Sequence, residues 1–184
     1  MSEAYNSMKN FWLDINNLQH KKEVPALGAA QVCIAGVEMA ALDDKCELKH
    51  ILVAASSLGN ASMYFENNSP SGLGGFTGGA SSGPVRDKAL RMLQAAAKAA
   101  DKMVAVEQLP SLQSPAHVVL FIVNKEGQLR ALEQLDVDVR NPENELYPMF
   151  AYSQQLIGAF RSTQEQPTQP ADKPSESSSS DISA

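Results

Sequence analysis

At 184 residues, with 43% hydrophobic and 20% charged content, the chain is long enough to bury one substantial core and too apolar to stay an unfolded polymer. Its formal net charge of −6 and pI near 5.0 argue against a surface built to neutralise nucleic-acid phosphates. No basic leader opens an apolar run at the N-terminus and nowhere do about 18 apolar residues follow one another, so membrane insertion is not expected and the cytoplasm is the expected location.

The first segment, 3–20, places Tyr5, Met8, Phe11, Trp12, Ile15 and Leu18 at steps of three and four, with Lys9, Asn10, Asp14 and Asn17 elsewhere. That is the period of an amphipathic helix. It could dock on a partner or pack on its own core. After a polar hinge at 21–23, Pro25 suits a first helical turn, and Leu27, Ala30, Ile34, Val37 and Ala41 extend a second predicted helix to about Leu42. Asp43 and Asp44 would cap the start of the next helix. Leu48, Ile51, Leu52, Ala55, Leu58 and Phe65 repeat at helical spacing over 47–66, a third predicted helix with a weak point at Gly59 and Asn60. The run 50–55 also reads as a short buried strand, and it is the best candidate for one missing from the sheet.

Residues 67–84 carry six glycines, Gly72, Gly74, Gly75, Gly78, Gly79 and Gly83. Their backbone entropy disfavours both helix and strand, so the segment is expected to be a loop. A fourth predicted helix runs over 85–106, apolar at Leu90, Leu93, Ala97, Ala100 and Val104, with a basic outer face of Arg86, Lys88, Arg91, Lys98 and Lys102. The segment 117–123, His-Val-Val-Leu-Phe-Ile-Val, is apolar on both faces and predicts a buried strand. A turn at 124–127 returns the chain along 129–139, with a bulge expected at Glu133. A last helix begins near Tyr147 and buries Phe150, Ile157 and Phe160. From 162 to 184 the chain is Gln, Pro, Ser and Thr with scattered charges, which predicts a disordered tail.

The expected fold is therefore α+β. One domain over 1–161 packs about five helices on a small antiparallel sheet containing the hairpin 117–139. A second copy of the chain is one way to extend so small a sheet.

Motifs for chemistry are sparse. Gly72 and Gly74 would need glycine at position 77 to make a dinucleotide loop, and Thr77 stands there; no Gly-Lys-Ser/Thr ending makes a P-loop either. His20, His50, His117, Cys33 and Cys46 show no metal-ligand spacing, and the two cysteines read as free thiols of a reducing compartment. Asp136 and Asp138 read as solvated carboxylates of a strand's polar face rather than a cation site. His117 could serve as a base in principle, but a half-exposed histidine at a strand rim is by far the commoner occupant of such a position, and no serine sits in Gly-x-Ser-x-Gly. No enzyme, metal or cofactor is expected.

The layout (small, acidic, helices plus a hairpin, a C-terminal amphipathic helix) is similar to that of accessory chaperones and adaptors of bacterial secretion systems. The resemblance implies a non-catalytic adaptor, chaperone or inhibitor that binds another protein, within a multiprotein complex and without nucleic acid. Large aromatics dominate interface energies where exposed, so Phe11, Trp12, Phe76, Phe150 and Phe160 are the candidate contacts. The alternative is a small-molecule or nucleotide binder that uses the glycine-rich segment 67–84 as a lid. Nucleic-acid binding through Arg86, Arg91, Lys98 and Lys102 is a third reading.

Overall fold

The computed structural model describes residues 2–19, 24–78 and 83–164. Among them are two helices, α1 (Glu3–Leu13) and α2 (Asn16–Gln19), then strands β1 (Val32–Leu42), β2 (Leu48–Ser56), β3 (Ala61–Glu66) and β4 (Leu73–Gly78). Helix α3 (Gly83–Lys98) and a 3-10 turn lead into the short β5 (Val104–Ala105). The hairpin of β6 (His117–Asn124) and β7 (Leu129–Leu135) comes next, and α4 (Asp136–Val139) and α5 (Tyr147–Gln164) complete the order. The fold is α+β, as expected, but the sheet is not small: seven strands lie in the order β4-β3-β2-β1-β6-β7-β5, all neighbours antiparallel.

Two predicted helices are strands. Of the helix predicted over 25–42, residues 32–42 form β1, the middle strand, buried from Val32 to Met39, while 25–31 are an irregular, turning segment. A strand covered on both faces shows no alternation, so its apolar run matches a helical period by coincidence. Residues 47–66 become the hairpin of β2 and β3, turning at Gly59 with φ +83°. The alternative strand over 50–55 is the correct reading. The weak point at Gly59 and Asn60 is the turn itself. Asp43 does cap backbone amides, of Lys45 and Glu47, but in a turn between strands rather than at a helix start.

The glycine-rich segment is not wholly a loop, since its middle is edge strand β4. Gly74 lies opposite Phe65 and Gly75 opposite Tyr64 on β3. A Cβ on Gly74 would stand 2.4 Å from the Phe65 ring, and one on Gly75 2.7 Å from the Tyr64 ring. The aromatic rings lie across the bare glycines, supplying the cross-strand contact that glycine lacks. Residues 79–82 of this segment, the hinge 21–23 and His20 fall outside the described residues, as does the predicted tail beyond Gln164; helix α5 absorbs 162–164.

The remaining differences are local. The helix predicted over 85–106 stops at Lys98, because Val104 and Ala105 pair with Ala131 and Arg130 at the sheet edge. The return strand ends at Leu135, and Asp136 and Asp138 enter α4 instead of a strand's polar face. No register shift occurs at Glu133, and pairing runs unbroken from His117↔Leu135 to Val123↔Leu129. The irregularity lies instead between Val32 and Ile34 on β1.

The sheet has a core on each face. Helices α3 and α5 cover one, meeting Val37, Val53, Met63, Val118, Leu120 and Ile122. Helix α1, with Ile15, Leu18, Leu109 and Leu112, covers the other against Ile34, Leu52, Val119 and Phe121. Among the described residues no helix is long and apolar enough to cross a membrane.

Gly36 is where the second layer is tightest. A Cβ there would lie 2.1 Å from the tip of the Phe121 ring, on fully buried neighbours. Gly36→Ala is therefore expected to cost about 3 kcal/mol in urea unfolding, as overpacking of a rigid core does. Adding Phe121→Leu should recover a large part of that loss; equal losses in the single and double variants would refute the contact.

Candidate functional site

Among the described residues two departures from an ordinary sheet-and-helix core stand out, one on each face. The first is polar. Glu38 projects from the centre of β1 and is 0% exposed. Helix α1 supplies its partners: Lys9 Nζ stands 2.6 Å from Oε2, and the Tyr5 hydroxyl donates to Oε1 at 3.1 Å. The helical spacing assigns Lys9 to the solvent side of α1, but it turns inward, because an uncompensated carboxylate under the helix would be far more costly. His50 on β2 lies beside them, its Nδ1 3.8 Å from Glu38 Oε1 and its ring 5.8 Å from that of Tyr5. Glu66 of β3 accepts from the backbone amides of His50 and of Ser2, and Ser2 also caps α1 through Tyr5 N.

Burial sets the protonation states here. Burial first, then the nearby Glu38 carboxylate, holds the Tyr5 phenol far above its ordinary range, so it stays a donor. Burial likewise pushes the His50 imidazole below its usual value, against the opposing pull of Glu38 and Glu66 and in the same direction as the N-terminus and Lys9. The cluster thus fixes α1 to the sheet through charges and hydrogen bonds. It is closed to solvent.

The second departure is apolar and open. On the α3/α5 face, the ends of β1, β2 and β3 pull away from the C-terminal half of α5 and leave a cleft with two lobes. One lobe, about 460 Å³, is walled by Ile51, Met63, Phe65, Phe76 and Ile157, with Leu42 at its mouth. The other, about 410 Å³, runs past Met39, Val118 and Gln154 to Pro115, Asp136 and Arg140. Ala41, Ile51, Ile157 and Arg161 line both. Phe76 is set by its neighbours: its ring lies 6.2 Å from that of Phe160, nearly parallel, and 6.0 Å from that of Phe65. Leu42 is 55% exposed.

Of the aromatics singled out from the sequence, Phe76 lines this cleft and Phe160 lies behind it, 3% exposed. Phe150 is also buried, under the Arg140 guanidinium at 5.0 Å. Trp12 is buried in the other core, and Phe11 is exposed on α1, on the opposite face of the sheet from the cleft. The five do not form one surface. Ile51, Met63, Ile157 and Arg161 are not legible as site residues in the sequence, since 47–66 reads as helix and only its pairing with β1 and β4 brings Ile51 and Met63 opposite α5. Glu38 is detectable in principle: a lone acid in the run 32–42 needs a buried partner once that run is a strand.

Several of the other candidates are held in pairs. His117 Nδ1 meets Glu133 Oε1 at 2.8 Å on the surface. Asp136 holds Arg140 at 2.6 Å. On the basic face of α3 and its extension, Arg91 pairs with Asp87 and Lys102 with Glu145. Cys33 is buried and Cys46 exposed, both free. Among the described residues no group of three or more His, Cys, Asp or Glu side chains is placed to hold a metal ion.

Two outcomes test the polar cluster. Lys9→Met leaves Glu38 buried without its cation and is expected to cost about 3 kcal/mol in denaturant unfolding, whereas Lys9→Met with Glu38→Gln should recover most of it. His50 favours its neutral form in the fold, so the unfolded chain takes up the proton first. The stability His50 contributes is then complete above its ordinary value of 6.5 and is lost as pH falls below it. His50→Phe is expected to flatten the fall in melting temperature below that pH; an unchanged slope would place the titration elsewhere.

Comparison of the chain with protein-family models, with curated proteins and with solved structures gives no match.

Proposed function

We propose that this chain is a non-catalytic accessory protein, of the adaptor, chaperone or inhibitor kind, that holds a segment of another protein in the cleft between the sheet and α5. One observation carries the reading: the walls formed by Ile51, Met63, Phe65, Phe76 and Ile157 are apolar and open to the surface, continuous with the exposed Leu42. An apolar side chain entering there gains about 25 cal/mol per Å² removed from water, and the surrounding strands and helix are already ordered, which limits the entropy lost on binding. Grooves that take peptides are built in this way, with anchoring pockets between fixed elements. A role within a larger assembly such as a secretion system rests on the sequence layout alone.

A second reading has one specific support. Phe76, from the glycine-rich segment 67–84, forms part of the cleft wall, so a small molecule held there would touch that segment. As an edge strand hydrogen-bonded along β3, 73–78 is a wall rather than a hinged cover.

Purification of the tagged full chain from its native host, beside an Ile157→Asp variant of equal melting temperature, tests the proposal. The expected result is a near-stoichiometric partner on the wild type, reduced at least roughly tenfold on the variant, the scale of losing one anchoring contact. A partner retained equally by both forms would refute the cleft as its seat. A small molecule detected by native mass spectrometry on the wild type and absent from the variant would favour the second reading.

A further inference from the structure

Among the described residues, the charges around the cleft have partners with one exception. Asp43 accepts from the amides of Glu47 and Lys45, which with Lys49 at 3.6 Å hold its carboxyl below the usual range. Glu66 is engaged by the amides of Ser2 and His50, and Asp136 by Arg140. Among the cations, Lys49 pairs with Glu47 at 2.8 Å, and Arg140 lies on the Phe150 ring besides pairing with Asp136. Arg161 is different. It lines both lobes and has no hydrogen-bond or ion-pair partner among the described residues.

A guanidinium carries five donors in a planar fork and accepts nothing, and carboxylate is the group that matches it with two parallel hydrogen bonds. Arg161 follows Ile157 by one helical turn on α5, so its stem begins about 6 Å from the apolar wall. A ligand that fills the wall with an apolar group therefore lies beside Arg161, which lines the same lobe.

We propose that the segment bound in the cleft is an acidic amphipathic peptide, in which a large apolar side chain enters the lobe of Phe65, Phe76 and Ile157 and a neighbouring carboxylate pairs with Arg161. This rests on the protein-binding reading and adds the partner's chemistry to it. In an extended segment, at about 3.3 Å per residue, the acid stands two residues from the apolar anchor. In a helical segment it stands three or four away. A basic segment is disfavoured by the same cation.

The test is a random displayed-peptide library selected against the full chain at physiological salt, followed by direct affinity measurement of an enriched peptide. Enriched sequences are expected to share a large apolar residue with Asp or Glu at one of those spacings, and to lose binding to Ile157→Asp. Because Arg161 is solvent-exposed, Arg161→Gln should weaken binding only about fivefold. Arg161→Glu should weaken it further and should prefer the peptide whose acid is replaced by lysine. Enriched peptides without an acid, or affinities unchanged in both Arg161 variants while Ile157→Asp abolishes binding, would overturn the acidic partner and leave the cleft reading standing. Peptides that bind Ile157→Asp as well as wild type, or no enrichment at all, would count against both.

Discussion

Strand β1 hydrogen-bonds to β2 along one side and to β6 along the other, while α3 and α5 press on one of its faces and α1 on the other. Every other element is positioned relative to this doubly covered strand. Its side chains must suit two different layers in alternation: Val37 and Met39 toward α3 and α5, Ile34, Gly36, Glu38 and Ala40 toward α1. Gly36 accepts the Phe121 ring where a side chain would collide. Next to it Glu38 brings a charge into the same layer. One strand thereby demands both the close approach of an aromatic and the arrival of a lysine from a separate helix. That combination leaves α1 little freedom in where it sits.

The parts of the fold legible in the sequence are those whose pattern has a single physical cause. Helix α5 can be placed from Tyr147 because Phe150, Ile157 and Phe160 recur on one face, and the hairpin of β6 and β7 from its turn at Asn124–Gly127 between two apolar runs. β1 and β2 read as helices because a buried strand and a buried helix can share one composition, rich in small and aliphatic residues. What distinguishes them is a partner strand distant in sequence, such as Val119 opposite Glu38, and no local period encodes that.

The glycine-rich segment shows the same limit from the other side. Glycine is a cost to strand formation when a strand is considered in isolation. In β4 the cost is offset by Phe65 and Tyr64 on the neighbouring strand, whose rings occupy the space that side chains at Gly74 and Gly75 would have filled. Propensity describes a residue alone. The sheet sets the value of the pair.

A buried polar group and an uncovered apolar surface are the informative departures from the rule that apolar residues lie inside. The clearest of each among the described residues, Glu38 and the cleft, lie on opposite faces of the sheet and differ in how they are resolved. Glu38 is closed by its own chain: Lys9 neutralises it, Tyr5 donates to it, and α1 shuts out water. The cleft beside α5 is not closed by any described residue, although the same helix covers the sheet completely a few residues earlier at Phe150, Ser153 and Leu156. Arg161, an exposed cation, lines both lobes there, and the open apolar wall beside it is the physical basis for the proposal that another chain completes the core.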